Sequence, residues 1–216
     1  ENLARLGELI KSPLLILPAA SRGHAMCFVR YGDWWAKIDR GENSLKEGSV
    51  NIYKMTHPEE INVSFLQQFL YKKQSRQYFH EIINKKLGLV PVLKLPISRQ
   101  IVGNCSWANV QAVVPVAYCL QQLNNTQDFS PDTALSVYDE WVEWDKDRAL
   151  DECVQRFYSA NPIRRASFAA MLAAVLFQAC DYQNPHHVER AEKIIPILTL
   201  PDYFYILQSY LDTYCI

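Results

Sequence analysis

The sequence has almost no net charge, with 22 Lys and Arg against 23 Asp and Glu and a pI near 6.6. That balance supplies no basic footprint for nucleic acid and no polybasic face for a membrane. Long apolar runs are missing too: a stretch such as Phe168 to Phe177 is too short and too alanine-rich to span a bilayer, so a soluble chain is expected. No C-x-x-C occurs for zinc or redox work. The six cysteines, Cys27, Cys105, Cys119, Cys153, Cys180 and Cys215, are scattered without paired spacing, which suits a reducing compartment. Sequons at Asn62, Asn104 and Asn124 point the other way, but a glycan on Asn104 would sit beside Cys105, and they are discounted. His186 and His187 lie near Cys180, yet adjacent histidines point to different helix faces and no fourth ligand is evident. Neither a metal nor a cofactor is expected.

What is present is core material, with 49% hydrophobic residues in 216, enough for one domain or a domain with an appended lobe. Residues 1–10 read as a short amphipathic helix, and Leu14 to Leu17 as a buried strand bounded by Pro13 and Pro18. Ala25 to Tyr31 and Trp34 to Ile38 read as strands joined at Gly32-Asp33, followed by the polar loop Arg40 to Gly48 and a strand over Val50 to Met55. Val63 to Leu87 turns helical, and Val90 to Ile97, carrying Pro91 and Pro96, suggests an edge strand. After Asn124-Asn125 every pattern is helical. A helix starts at Ser130-Pro131-Asp132, and three more span about 162–180, 186–198 and 203–215. The expected fold is therefore α+β, with a mixed lobe over 1–125 and a helical lobe over 126–216 packed on it.

Chemistry concentrates at Gln100-Ile-Val-Gly-Asn-Cys-Ser-Trp-Ala-Asn-Val110, where a loop gives way to a long apolar helix. Cys105 falls in the first helical turn, where unpaired backbone N–H groups and the helix dipole stabilise a thiolate. Gln100 could turn its amide toward the same point and form an oxyanion hole with the Cys105 backbone N–H. Asn104 is placed to cap the helix. In the hairpin, the turn at Gly32-Asp33 brings the start of one strand level with the end of the next, setting His24 beside Asp39 as base and orienter. Asn43 is the reserve orienter, and Trp107, Trp35, Asn104 and Asn43 are candidates to line a substrate groove. The alternatives stay open: a cysteine in a helix cap is also a packing residue, and a histidine at a strand end is also structural. Asp139, Glu140, Glu143, Asp145 and Asp147 read as a solvated helix face, and Trp141 and Trp144 as core aromatics.

The string G-H-x-x-x-x-V-R-x-G-D-x-W-x-x-x-D over 23–39 resembles the His-strand-turn-strand-Asp unit of papain-like thiol hydrolases, particularly ubiquitin-specific proteases. Q-x4-C-x-W over 100–107 resembles their nucleophile box. The match covers about thirty residues, and its order, His24, Asp39, Cys105, is permuted relative to the Cys, His, Asp/Asn of that family. The longer string G-N-C-S-W-A-N-V, with the later Tyr138-Asp-Glu-Trp-Val-Glu-Trp-Asp-Lys-Asp-Arg-Ala-Leu150, is similar to papain-like domains of Legionella ankyrin-repeat effectors. The resemblance implies a papain-like core, a small antiparallel sheet packed on a helix carrying Cys105, and a Cys105-His24-Asp39 triad in a secreted effector acting on a host protein in the host cytosol. No ankyrin signature such as T-P-L-H is present, which places any repeats outside this chain. The competing expectation is a catalytically silent module that binds a host partner.

Overall fold

The computed structural model describes residues 2–21, 23–41, 47–100, 105–125, 129–178 and 181–214, with only the backbone of Asn2, Cys105 and Tyr214. The chain divides into two compact units, Glu1–Trp141 and Val142–Ile216.

The first unit is built on an antiparallel meander of five strands in sequence order: β1 (Leu14–Ser21), β2 (His24–Tyr31), β3 (Trp34–Ile38), β4 (Val50–Met55) and β5 (Leu89–Leu95). Both faces are covered, so β2 and β3 read as nearly continuous apolar runs. On one face Leu15, Leu17, Met26, Phe28 and Trp35 pack against three segments. These are helix α1 (Asn2–Lys11), helix α2 (Val63–Tyr71) and a π-helical turn (Tyr78–Ile82) that leads into the short α3 (Ile83–Lys86). Phe28, Phe69 and Phe79 meet there at centroid separations of 5.4 to 5.8 Å. On the other face Cys27, Val29, Ala36, Ile38, Val50 and Ile52 receive Val113, Val116, Cys119, Leu120 and Leu123. Those come from α5 (Val113–Asn125), which follows α4 (Cys105–Gln111).

Three expectations are corrected. The single apolar helix expected from Cys105 is broken at Ala112, because Pro115 has no N–H for the Gln111 carbonyl and its ring crowds that carbonyl. β1 runs through Pro18 to Ser21 instead of ending there. As an edge strand it can turn the missing N–H outward. The division between units falls inside α6 (Pro131–Ser159), since Ala134, Leu135 and Tyr138 on its first turns pack on the sheet core.

The second unit is helical: the remainder of α6, α7 (Pro162–Gln178), α8 (Pro185–Leu198) and α9 (Phe204–Tyr214). Its core joins Leu150, Phe157, Leu172, Ile194, Ile197 and Leu198. Among the described residues no helix is long and apolar enough to cross a membrane.

Candidate functional site

The β2–β3 hairpin sets the geometry. Gly32 takes a positive φ of 56° in the two-residue turn, and the ladder then runs from Tyr31↔Trp34 to Cys27↔Ile38. Continuing that register by one pair sets Met26 opposite Asp39. His24 lies two positions further along on the same face, a diagonal within reach of a long side chain. The structure realises this contact: His24 Nε2 is 2.7 Å from Asp39 Oδ1. The Asp39 side chain is only 2% exposed, while the His24 ring keeps 19% of its surface open. The Gly41 N–H donates to the same Asp39 oxygen at 3.1 Å. Gly41 also leaves room for the ring where it stands, because a Cβ there would lie 2.3 Å from His24 Cε1. Asp39 Oδ2 is buried without a hydrogen-bond partner among the described residues.

The helix that begins at Cys105 is docked at this open end of the hairpin. Asn109, one turn beyond Cys105 and 1% exposed, accepts from the Arg40 N–H at 2.8 Å and donates to the Ala25 carbonyl at 2.7 Å. The Arg40 guanidinium, also buried, donates to the Ser98 carbonyl at 2.8 Å and the Ala108 carbonyl at 3.0 Å, and lies 5.5 Å from the Tyr138 ring. Gln100 is tied in by its backbone N–H, which donates to the Arg40 carbonyl at 2.9 Å. The Gln100 side-chain oxygen is buried without a partner among the described residues. A half-turn of the amide exchanges that unpaired acceptor for a donor. The Cys105 side chain lies outside the described residues, as do Asn104 and Asn43, so the sulfur-to-imidazole separation and the roles expected of Asn104 and Asn43 are not part of this geometry.

Beside the pair, Lys37 is buried between β3 and the π-helical turn. It donates to Glu47 at 2.6 Å and contacts His80 Nδ1. Burial and the Lys37 ammonium hold the His80 pKa below the usual histidine range. Among the groove candidates, Trp107 is 48% exposed on α4 and remains available. Trp35 is not: it is fully buried against Phe28 and Phe65, because the sheet is covered on the face it occupies.

The acidic run of α6 is also not simply solvated. Asp145 is buried and pairs with Arg148 at 3.0 Å. Glu143 and Asp147 hold the buried Arg190 at 2.6 and 2.7 Å. Burial pushes the Cys27 thiol up to about 11 and the Cys119 thiol up to about 12. Among the described residues no group of three or more His, Cys, Asp or Glu could hold a metal ion.

Arg40 and Gly41 were legible only as the start of the polar loop after Asp39, and Asn109 was not singled out. A signal existed for the last of these, since Asn109 repeats the Cys105 face at one helical turn beside Ala108 and Ala112. Gly41 carried none beyond its position opposite His24 in the extended register.

No family model matches the chain, and no curated protein matches it. A solved structure does, that of the Legionella effector AnkH, with a TM-score of 0.86 and 65% sequence identity. The match covers 99% of this chain but 45% of that one, so the chain spans less than half the length of its relative. Over its own length, this α+β chain is similar in both sequence and fold to part of the Legionella effector AnkH.

Proposed function

We propose that the chain is the papain-like thiol-hydrolase part of a bacterial secreted effector, acting on a peptide, isopeptide or carboxamide bond of a host protein in the host cytosol. The observation that carries this reading is the 2.7 Å bond between His24 Nε2 and the buried Asp39 Oδ1, at the hairpin end where the Cys105 helix docks. The likeness to the Legionella effector AnkH supports the effector role, with ankyrin repeats, where present, outside this chain.

In this reading Asp39 holds the proton on His24 Nε2, leaving Nδ1 to take the Cys105 proton. The thiolate adds to the substrate carbonyl carbon, and the resulting oxyanion is met by the Gln100 amide and the Cys105 backbone N–H. His24 then protonates the leaving nitrogen as the C–N bond breaks. Water, activated by His24, hydrolyses the thioester and regenerates the thiol. Trp107, exposed beside the nucleophile, supplies an apolar wall for the substrate.

A thiol-reactive probe applied at mildly acidic pH tests this chemistry. Cys105 should label there while Cys27 and Cys119, with thiols pushed up to about 11 and about 12, remain protonated. Loss of labelling in Cys105→Ala supports the reading, and labelling unchanged by Cys105→Ala or absent from Cys105 overturns it. A ubiquitin-derived electrophile then separates an isopeptidase from other hydrolases. The second reading is a silent binding module. It is favoured by the exposure of large apolar side chains in the helical unit, with Ile163 85% and Tyr182 82% exposed.

A further inference from the structure

We infer that Asn109 is a positioning residue that sets the height and rotation of the Cys105 helix against the His24–Asp39 pair, a role that rests on the thiol-hydrolase reading above. In a two-residue hairpin the pair flanking the turn is hydrogen-bonded, and hydrogen-bonded pairs alternate along the ladder from there. Tyr31↔Trp34, Val29↔Ala36 and Cys27↔Ile38 occupy those positions, and the next in the series is Ala25 opposite Arg40. At that position the bond between the Arg40 N–H and the Ala25 carbonyl is replaced by the Asn109 amide. Its Oδ1 accepts from the Arg40 N–H at 2.8 Å and its Nδ2 donates to the Ala25 carbonyl at 2.7 Å.

The amide therefore works as a wedge. It satisfies both backbone groups while holding the strands apart where His24 and Asp39 need room for the ring and its partner. It does so from α4, at 1% exposure, so a slide or rotation of the helix breaks both bonds, the one to the buried Arg40 N–H included. One residue on from Asp39 and one on from His24 are thus tied to a single side chain on the Cys105 helix. Cys105 precedes Asn109 by one turn on the same face, where Cβ atoms are about 6 Å apart. Arg40 reinforces the lock by donating to the carbonyl of Ala108, immediately before Asn109. No other side chain of the described site bonds to both hairpin strands from this helix.

The test is the pH dependence of Cys105 alkylation by iodoacetamide in the full chain. Asn109→Asp keeps the acceptor for the Arg40 N–H but loses the donor to Ala25 and sets a carboxylate against that carbonyl. Asn109→Ser, smaller and uncharged, carries the test if Asn109→Asp does not fold. Val116→Ala is the control for stability alone, because Val116 is fully buried in the sheet core on the following helix. The wild type should alkylate at pH 6. The Asn109 variants should lose about tenfold in rate there, with the apparent thiol pKa raised by about one unit, the change in thiolate fraction that a tenfold loss represents. Val116→Ala should melt earlier with an unchanged profile. A folded Asn109 variant with the wild-type profile overturns the inference while leaving the triad intact, and so does a Val116→Ala shift equal to that of the Asn109 variants. A wild type with no reactivity at pH 6 instead overturns the thiol-hydrolase reading.

Discussion

His24 Nε2 and Asp39 Oδ1 stand 2.7 Å apart across the open end of one hairpin, which commits that ring nitrogen to the carboxylate; in the proposed thiol-hydrolase reading Nδ1 is then the nitrogen that takes the Cys105 proton. Asp39→Asn preserves an oxygen that can accept from Nε2–H, whereas Asp39→Ala frees the ring. Cys105 alkylation at pH 6 should therefore fall in the order wild type, Asp39→Asn, Asp39→Ala. His24→Ala should lose about 10² or more in rate, the usual contribution of a positioned base. Equal rates for Asp39→Ala and wild type would show that the carboxylate orients nothing.

Gly41 faces the same ring from the other side. The added methyl of Gly41→Ala would meet His24 Cε1 at 2.3 Å, and the imidazole, being the end of a movable side chain, can swing away. Stability should drop by about 1 kcal/mol, at the low end for an overpacked site. The reactivity of Cys105 should drop far more, because the His24–Asp39 bond is what gives way. Thermal melts read beside alkylation rates check the contrast, and a variant that loses stability with full reactivity would contradict it.

Alkaline conditions should weaken the first unit through its buried thiols. In the unfolded chain Cys27 and Cys119 ionise near 9.0, but in the fold they do so near 11 and 12. Both folded values are raised, so the neutral form is favoured by folding. Their contribution is complete below pH 9 and is lost as the pH rises from about 9 toward 12. For Cys27 a shift of two units corresponds to about 3 kcal/mol at most. Denaturant midpoints measured from pH 8 to 11 should fall, and Cys27→Ala or Cys119→Ala should flatten the fall even while lowering the plateau. A parallel slope in both variants would contradict the assignment.

In the helical unit, Arg190 from α8 joins Glu143 and Asp147 of α6 with its side chain 5% exposed. Arg190→Met keeps the apolar stem and removes the charge, leaving two carboxylates that are only partly solvated. Such a change should cost about 3 kcal/mol, the low end for a broken buried pair, because Glu143 and Asp147 keep some contact with water. Hydrogen exchange should locate the loosening in α6 and α8. A loss below about 0.5 kcal/mol would mean that the network behaves as surface pairs do.

Much of the fold was legible because it is encoded locally. The Gly32-Asp33 turn and the strands flanking it determine the hairpin register, and that register brings His24 to a diagonal of Asp39 that the two side chains bridge. Ser130-Pro131-Asp132, Asn161-Pro162 and Asn184-Pro185 mark helix starts by their lack of a usable N–H and by their capping side chains, and α6, α7 and α8 begin there. The break after Gln111 was legible as well, in Pro115, but the apolar spacing on either side of it masked the interruption.

What only the tertiary structure decided is which faces are covered and which polar groups end up sharing a partner. Trp35 alternates as a strand residue whether its face meets solvent or core, and it is the packing of α2, through Phe65, that closes over it. The charged pattern of α6 is the same whether it faces water or Arg190, a residue more than forty positions away in the chain. Asn109 likewise reads as a polar residue on a helix until that helix is laid against the hairpin, where its amide takes over a ladder bond between Ala25 and Arg40. Periodicity and turn chemistry act between neighbours in sequence and so can be read there. Burial and shared hydrogen bonds arise between segments that meet only on folding, and no local pattern specifies them.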